Sequence, residues 1–491
     1  MRVHSLPAAD AAAPARRLLW LPPPAVLSSL VLLVLGILLT LSKGLADPDY
    51  FWHIATGNLI LDSGRVPSVD PFSLTWQGRP WVLHEWLSEA LMTALVRAIG
   101  ALPTLGLFGT LLPLGFGVLG FTFLAQRLPL RAVMLSVLFA AAVAFPYATI
   151  RPQVISWFLL SVLLAALLLA RPGRSWLLVA CVPLFTVWAH LHGLWVVGLA
   201  TFGWYVLATL FRATPMRERR VTVVLVGVAC VAATLLTPSG LDGLLYPLRY
   251  IDAGDWGLAH IPEWASPNFH DLVQVPLLLW IALAPILGRS SPGWLRLLQV
   301  IGIVVALLAN RNAPVAAVLG LPAVAMGLAP RLRTPAVTRS HWEAFGRRAV
   351  ELAVAGGIVV AAFLTIPVSS GERGLVLERY PVEGMSLLVQ RAPHARVFAE
   401  YGWGGYVIYR LQDSGGLVFV DGRNDMYDQS ILEIYSRIRA ADAGWEGLLD
   451  RYQIDAVLLP PNAPLAHLID ESRSWCEAYR DEREVLATRC P

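Results

Sequence analysis

Long apolar segments recur along most of the chain and are separated by short polar turns. Segments of about 20 apolar residues match the roughly 30 Å hydrocarbon layer of a bilayer, so each predicts a transmembrane helix. About eleven such helices are predicted, at 25–45, 103–126, 130–148, 152–170, 175–189, 192–211, 221–237, 272–288, 297–309, 313–329 and 350–367. Most of the chain is therefore expected to form a polytopic transmembrane helix bundle.

The pattern changes after Pro367, where charged residues become frequent and the apolar runs shorten. Short strands that alternate with helices are typical of a compact α/β domain. Strands are predicted at 396–399, 417–420, 456–459, 477–479 and 485–487, and helices near 383–391, 404–411, 429–440 and 445–452. The predicted fold class is thus mainly α, a transmembrane bundle followed by a C-terminal α/β domain.

Residues 85–99 form a helical pattern that is not expected to cross the membrane. Glu85, Glu89, Thr93 and Arg97 recur at a spacing of four and form one polar stripe. A helix of this length reaches only about 22 Å, which is short for the hydrocarbon layer. We expect it to lie along the outer interface.

The distribution of arginine predicts the orientation, because cytoplasmic loops carry an excess of Lys and Arg. With Arg16 and Arg17 inside, the large arginine clusters between helices all fall on the cytoplasmic side. The predicted organisation is a cytoplasmic segment 1–24, a transmembrane domain 25–368 with its first outer loop at 46–102, and an extracytoplasmic domain 369–491.

Composition supports a lipid environment. The mean hydropathy is +0.60 and only 15% of the residues are charged, against about 25% in soluble proteins. The net charge of +4 is small and lies in short clusters between apolar runs, so no nucleic-acid partner is expected. Lys43 is the only lysine in a chain rich in Ala, Leu and Pro. This bias suggests a bacterial protein of the cytoplasmic (inner) membrane.

The first outer loop is rich in side chains that carry chemistry. It begins with Asp47 and Asp49 around Pro48 and later contains His84 and Glu85. Asp49 can cap a helix that runs to about residue 62, and His53 then shares its face. Two simpler interpretations remain open, because Asp49 alone is explained as a helix cap and Asp47 as a solvated loop acid.

The other outer turns also carry ionisable residues: Arg151, His190 and His192, Glu263, and Arg311. Each arginine alone is equally explained by snorkelling to headgroups, and each histidine by an interfacial helix end. Ionisable groups beside a bilayer are costly unless they are paired or line a cavity, so their convergence on one face predicts a site. Acids, histidines and arginines next to lipid suit a substrate with an apolar tail and a phosphate head.

With these features the chain resembles the GT-C superfamily of membrane glycosyltransferases, including the polyprenyl-phosphate-sugar-dependent, family 39-like enzymes. The resemblance rests on Asp47-Pro48-Asp49 at the position of the family's acidic pair, on two juxtamembrane helices at about 50–61 and 85–99, and on the outer tail. A narrower bacterial group shares Asp70-Pro71-Phe72-Ser73, His84-Glu85-Trp86, Glu400 to Tyr406 and Asp421-Gly422-Arg423.

The resemblance implies a sugar donor linked to polyprenyl phosphate and an extracytoplasmic acceptor, which is a glycan, a lipid or a protein. It implies Asp47 or Asp49 as the base of an in-line displacement. The substrate would contact a larger set: His53, His84, Glu85, Arg151, His190, His192, Glu263 and Arg311. A divalent cation (Mg or Mn) enters only through the resemblance, with Asp49 and His53 as its ligands, and the pattern itself predicts no metal site.

The C-terminal tail carries two glycine-containing motifs and a pair of cysteines. Gly402, Gly404 and Gly405 are interpreted as a turn before a helix, since no Lys-Ser/Thr follows. The segment Asp421 to Asp425 is interpreted as a tight turn rather than an acceptor site, while a disulfide between Cys476 and Cys490 is left open.

Two other functions remain open for the whole protein. It could be a transporter or flippase of lipid-linked saccharides, or a non-catalytic protein of envelope assembly.

Overall fold

The computed structural model of the protein describes residues 23–43, 45, 47–216, 219–249, 255–332, 379–423 and 426–490. The N-terminal part is helical. Its helices are α1 (Pro23–Lys43), α2 (Tyr50–Ser63), α3 (Trp86–Ile99), α4 (Ala101–Ala125), α5 (Leu130–Ala144), α6 (Gln153–Leu169), α7 (Trp176–Val179), α8 (Cys181–Leu191), α9 (Trp195–Leu210), α10 (Arg220–Thr234), α11 (Gly240–Arg249), α12 (Asp255–His260), α13 (Val275–Gly288), α14 (Gly293–Leu308) and α15 (Ala313–Leu328).

Ten of the predicted transmembrane helices correspond to apolar helices of the bundle. Three of these are long and apolar enough to cross a membrane: Ala101–Ala125, Leu130–Tyr147 and Asn310–Leu328. The shorter apolar helices are Val31–Leu41, Gln153–Leu169, Trp176–Leu191, Trp195–Leu210, Arg220–Thr234, Leu272–Gly288 and Gly293–Leu308. The predicted helix 350–367 lies outside the described residues. The fold class is confirmed as that of a multi-pass membrane protein.

Helix α15 lies at the centre of the bundle, and its small residues explain why. It packs against α5, α13 and α14, and almost all of its residues are buried. A Cβ atom at Gly327 would lie 2.1 Å from the backbone oxygen of Leu287, so only glycine permits this approach of α15 to α13. Small residues at helix interfaces are how transmembrane helices obtain close packing without a hydrophobic driving force.

The C-terminal domain is built on one five-stranded sheet in the order β2-β1-β3-β5-β4. Its strands are β1 (Arg396–Ala399), β2 (Leu417–Val418), β3 (Ala456–Leu459), β4 (Trp475–Arg480) and β5 (Val485–Arg489), and its helices are Val382–Arg391, Gly404–Leu411, Gln429–Arg439, Trp445–Arg451 and Pro464–Leu468. Strands β2, β1 and β3 are parallel, while β5 pairs antiparallel with β3 and β4. The predicted α/β domain is confirmed, and Cys476 and Cys490 form a disulfide that joins β4 to the end of β5.

The first loop and the C-terminal domain share this sheet. Ser73 makes an isolated parallel bridge with Val418 at the β2 edge. The amide of Leu74 donates to the carbonyl of Val418 (2.7 Å), and the amide of Val418 donates to the carbonyl of Phe72 (3.2 Å). Because an exposed edge strand invites pairing, these bonds cover an edge with a segment from far away in the sequence.

Candidate functional site

The polar turns predicted from the sequence meet at one end of the bundle. Helix α2 begins one residue after Asp49, and α3 packs along it and begins one residue after Glu85. Arg151 lies two residues before α6, and His192 directly follows α8. The single helical turn Asn310–Asn312 precedes α15. These acidic, arginine and histidine residues thus lie in loops or at helix ends, and the helices fix their positions.

Arg151 is the centre of a group of ion pairs. Its Nε atom donates to Asp47 Oδ2, its Nη1 atom donates to both oxygens of Glu263 (2.9 and 2.8 Å), and its Nη2 atom lies 3.3 Å from Asp49 Oδ2. A second guanidinium, that of Arg311, lies 3.5 Å from Glu263 Oε1. Three carboxylates therefore face two guanidinium groups, and Arg151 is fully engaged by them.

Asp47 and Asp49 face different directions. The side chain of Asp47 is only 4% exposed, and its Oδ1 accepts the amide of Asp49 (3.1 Å). The side chain of Asp49 is 20% exposed, and its Oδ1 accepts the indole N–H of Trp52 (3.1 Å) rather than capping α2. The helix-cap interpretation of Asp49 is therefore wrong, and so is the interpretation of Asp47 as a solvated acid.

The pKa of Asp49 is raised to about 7. Burial is the largest cause, and the nearby negative charges of Asp47 and Glu263 add to it, while Arg151 opposes it. Near neutral pH the Asp49 carboxyl is thus divided between its neutral and ionised forms. This is the range in which a carboxylate is an effective general base.

A second cluster is formed by histidines around Glu85. The Nε2 atoms of His84 and His192 each lie 3.2 Å from Glu85 Oε1. The amide of Leu194 donates to Nδ1 of His192 (3.0 Å), so the neutral ring carries its proton on Nε2 and donates it to Glu85. Burial raises the pKa of Glu85, but the contacts with His192 and His84 outweigh it and leave the pKa below its ordinary value.

His53 lies deeper, between Glu85 and Glu89. Its Nδ1 atom is 3.2 Å from Glu89 Oε1 and 3.8 Å from Glu85 Oε2. Burial lowers the pKa of His53 to about 3 and, together with the charge of Glu85, raises the pKa of Glu89 well above its ordinary value. Glu89 is fully buried, and among the described residues its Oε2 atom has no hydrogen-bond partner.

These three residues could hold a divalent cation. One ligand atom from each of His53, Glu85 and Glu89 lies within 4.8 Å of the others. A neutral imidazole nitrogen with two carboxylates suits Zn or Mn better than Mg, which prefers oxygen ligands alone. The predicted ligand pair Asp49 and His53 is not the grouping found, because Asp49 is held by Arg151 and Trp52.

A cavity of about 410 Å³ opens between the bundle and the C-terminal domain. Eight of the ten residues predicted for the site line it: Asp49, His53, His84, Glu85, Arg151, His192, Glu263 and Arg311. Asp47 instead lines a second cavity of about 610 Å³, which shares Arg151 and Glu263 with the first. His190 lines neither cavity, and its Nδ1 atom bonds to the Thr186 carbonyl (2.7 Å).

The second cavity is rich in uncharged polar groups. It is lined by Tyr147, Thr149, Gln153, Asn268, Gln274 and Asn310, together with Asp47 and the ion pairs. The hydroxyl oxygens of Tyr147 and Thr149 are buried and have no hydrogen-bond partner in the described part of the chain. Buried hydroxyls without partners are costly, so a polar ligand would complete this wall.

The C-terminal domain contributes residues that sequence reasoning left out of the site. Tyr401, Gly402, Gly422 and Arg423 line the first cavity together with Asp49. Arg423 binds Asp421 through Nε and Nη2 (2.8 and 2.6 Å) and donates from Nη1 to Asp70 of the first loop (2.8 Å). The predicted tight turn is present, since Asp421 Oδ1 accepts the amide of Arg423 (3.0 Å). The available signal was Asp421-Gly422-Arg423 directly after an apolar strand.

By sequence, the chain matches no protein-family model and no curated protein. Its fold is similar to that of the archaeal oligosaccharyltransferase AglB from Archaeoglobus fulgidus in complex with an inhibitory peptide and a dolichol-phosphate (TM-score 0.57, 11% identity, 88% of this chain and 69% of that one). Another structure of the Archaeoglobus fulgidus oligosaccharyltransferase is a complex with Zn and sulfate (TM-score 0.50, 12% identity, covering 87% and 68%).

Two bacterial structures share the fold as well. One is ArnT from Cupriavidus metallidurans bound to undecaprenyl phosphate (TM-score 0.54, 16% identity, 94% of this chain and 97% of that one). The other is the arabinofuranosyltransferase AftD from Mycobacteria (TM-score 0.52, 14% identity), of which this chain covers 40% while 95% of its own length is matched. The chain thus has the GT-C fold predicted from its sequence.

Proposed function

We propose that the protein is a membrane glycosyltransferase that moves a sugar from a polyprenyl-phosphate donor to an extracytoplasmic acceptor. The observation that carries this proposal is the position of Asp49, which faces a cavity lined by histidines and Arg311 at the end of a bundle with the GT-C fold. An ionisable base beside guanidinium groups is the combination that a phosphate-leaving displacement requires.

The reaction is an in-line displacement at the anomeric carbon. The acceptor hydroxyl oxygen forms a bond to that carbon while the bond between the carbon and the phosphate oxygen breaks. The hydroxyl proton passes to the Asp49 carboxylate, and the bonding electron pair leaves with the phosphate. Arg311 is the guanidinium that can stabilise this phosphate, because its ion pair with Glu263 is long (3.5 Å) and it otherwise lies over the ring of Trp264 (5.2 Å to the centroid), whereas Arg151 is paired with three carboxylates.

A divalent cation at His53, Glu85 and Glu89 is a second part of the proposal. When bound, such an ion would offset negative charge near the departing phosphate. The buried Glu89 Oε2 atom, which lacks a partner among the described residues, supports this assignment. We expect purified protein to bind about one Zn²⁺ or Mn²⁺ in equilibrium dialysis, and His53→Ala to abolish this binding. Equal binding by His190→Ala and His53→Ala would contradict the assignment.

We propose that the protein lies in the cytoplasmic membrane of a bacterium, with residues 1–24 inside and an extracytoplasmic domain at 369–491. The disulfide between Cys476 and Cys490 supports this orientation, because disulfides persist in oxidising compartments. The transmembrane domain would extend over residues 25–368, with its first outer loop at 46–102.

The function is tested with purified protein in proteoliposomes that contain radiolabelled polyprenyl-phosphate sugars. A glycosyltransferase releases the label from its donor lipid, to water or to an added acceptor, and frees polyprenyl phosphate in equal amount. A transporter or flippase would move the intact lipid-linked sugar between leaflets without cleaving it. Cleavage of one donor class supports the proposal, whereas movement without cleavage would replace it with the transport function.

A further inference from the structure

The C-terminal domain encloses the start of the first loop. The Tyr380 hydroxyl lies 2.9 Å from the carbonyl of Asp47. Phe51 packs edge-on against the rings of Tyr380 and Tyr406, each at 4.9 Å between centroids. Residues 48–52 are therefore held by a part of the chain that is more than 300 positions away.

Two glycines of that domain touch the enclosed segment directly. A Cβ atom built on Gly422 would lie 2.4 Å from Asp49 Oδ1, and one on Gly405 would lie 2.7 Å from the carbonyl oxygen of Pro48. Both distances are shorter than real Cβ contacts. Gly447, in the helix Trp445–Arg451 of the same domain, differs, because nothing lies within 4 Å of an added Cβ atom there. Contact with Asp49 is thus specific to the position of Gly422.

The loop that carries Gly422 is rigidly attached. Asp421 on one side accepts from the Tyr427 hydroxyl (2.5 Å) and from Nη2 and Nε of Arg423 (2.6 and 2.8 Å). Arg423 on the other side binds Asp70 and lies over the ring of Trp81, 4.7 Å from its centroid. Because Asp421 and Arg423 are held by these buried contacts, we expect an added methyl at residue 422 to displace the Asp49 carboxylate rather than the loop.

We propose that Gly422, supported by Gly405, is a positioning residue that sets where the Asp49 carboxylate lies in the first cavity. The loop and the two glycines form a socket for residues 48–52, and the socket holds Asp49 Oδ1 at the indole of Trp52 and Oδ2 at Arg151. The inference rests on the proposed function for its catalytic consequence, although the positioning itself is a structural property that can be measured without catalysis.

The first test uses Gly422→Ala, Gly405→Ala and the matched control Gly447→Ala in the full-length protein. We expect Gly422→Ala to lower kcat about 100-fold, the size of effect produced by a displacement of about 1 Å at a reacting group. The KM for the donor should change much less, and Gly447→Ala should match the wild type. If Gly422→Ala does not fold, Gly405→Ala decides, because its added methyl presses on the same segment.

The second test needs no substrate. The Asp49 carboxyl band is obtained as the infrared difference between each protein and its Asp49→Asn variant, followed through pH. We expect its frequency and titration to change in Gly422→Ala and to stay unchanged in Gly447→Ala. If the wild-type protein shows no transfer activity but Gly422→Ala still alters the Asp49 band, the socket is supported and only the proposed function is rejected. An unchanged band, or equal kcat in all three glycine variants, would overturn the socket.

Discussion

At the residue scale, the two first-loop acids have different environments although they are two positions apart. Asp47 is buried against Arg151, whereas Asp49 lines the first cavity and accepts a hydrogen bond from the indole N–H of Trp52. The sequence could not distinguish them, because the distinction depends on Arg151, about 100 residues away. We therefore propose Asp49 as the base and Asp47 as the residue that holds Arg151 in place.

The pH dependence of transfer follows from the raised pKa of Asp49, about 7. A base must be ionised, so kcat should fall as the pH decreases through this value and level off above it. Replacing Asp47 with Asn removes a negative charge that raises the pKa of Asp49, so the acidic limb should move to lower pH. A pH profile of single-turnover transfer measures both effects. An unmoved limb in Asp47→Asn would contradict this electrostatic coupling.

Substitutions of Arg311 can separate the contribution of its positive charge from that of its planar guanidinium group to phosphate binding. Lysine retains the positive charge but loses the planar fork that binds two phosphate oxygens at once. We expect Arg311→Lys to lower kcat/KM for the donor about tenfold, which corresponds to about 1.4 kcal/mol, and Arg311→Ala to lower it further. Arg331, which donates to the carbonyls of Leu287 and Gly327, provides the control. An effect of Arg331→Lys as large as that of Arg311→Lys would remove the phosphate assignment.

At the element scale, regular patterns were predicted well and irregular ones were not. Strands β1 and β3 begin and end at the predicted residues, and α3 begins one residue later than expected. Helices α11 and α12 were not predicted, because they are short and the first carries Asp242 within its first turn. An apolar window of about 20 residues cannot detect such segments.

The pairing of the first loop with the C-terminal domain was also missed. Its two partners, Asp70 and Arg423, are separated by 353 positions, and neither lies in a repeating pattern. The sequence predicted a tight turn at Asp421 to Asp425, and the bond from the Arg423 amide to Asp421 agrees with it over the described residues 421–423. Only the fold shows that this segment lies against Asp49. Long-range contacts of this kind set the site, while local patterns set the elements that carry it.

The buried ion pairs predict a difference between two otherwise identical substitutions. Asp70 and Arg423 are 0% and 2% exposed, whereas Asp428 and Arg79 are 61% and 53% exposed. Asp70→Asn leaves a buried guanidinium partly unpaired and should lower the unfolding free energy of the C-terminal domain by about 3 kcal/mol. Asp428→Asn should change it little, since exposed pairs are weak. Chemical denaturation in detergent, monitored by the hydrogen-exchange protection of backbone amides in the C-terminal domain, measures the stability of both variants. Equal stability of the two variants would contradict the role given to the buried pair.

At the scale of the whole molecule, the bundle and the C-terminal domain build the first cavity together. Helix ends supply the acids, histidines and arginines, and the C-terminal domain supplies the wall with Tyr401 and Gly422. The second cavity shares Arg151 and Glu263 with the first and offers buried hydroxyls without partners among the described residues. A donor and an acceptor that approach from the two cavities would meet at the acidic pair.

The most direct measurement compares sugar transfer by Asp49→Asn with transfer by Asp62→Asn in the same proteoliposomes. Both substitutions replace Asp with Asn in the same part of the chain. Asp62 lies near the end of α2, is 65% exposed and pairs only with Arg97 among the described residues, so its replacement should not affect the cavity. The account predicts that Asp49→Asn loses at least about 100-fold in the rate of release, within the range of general-base catalysis, while Asp62→Asn retains the rate of the wild type. Equal rates in both variants would contradict the assignment of Asp49 as the base.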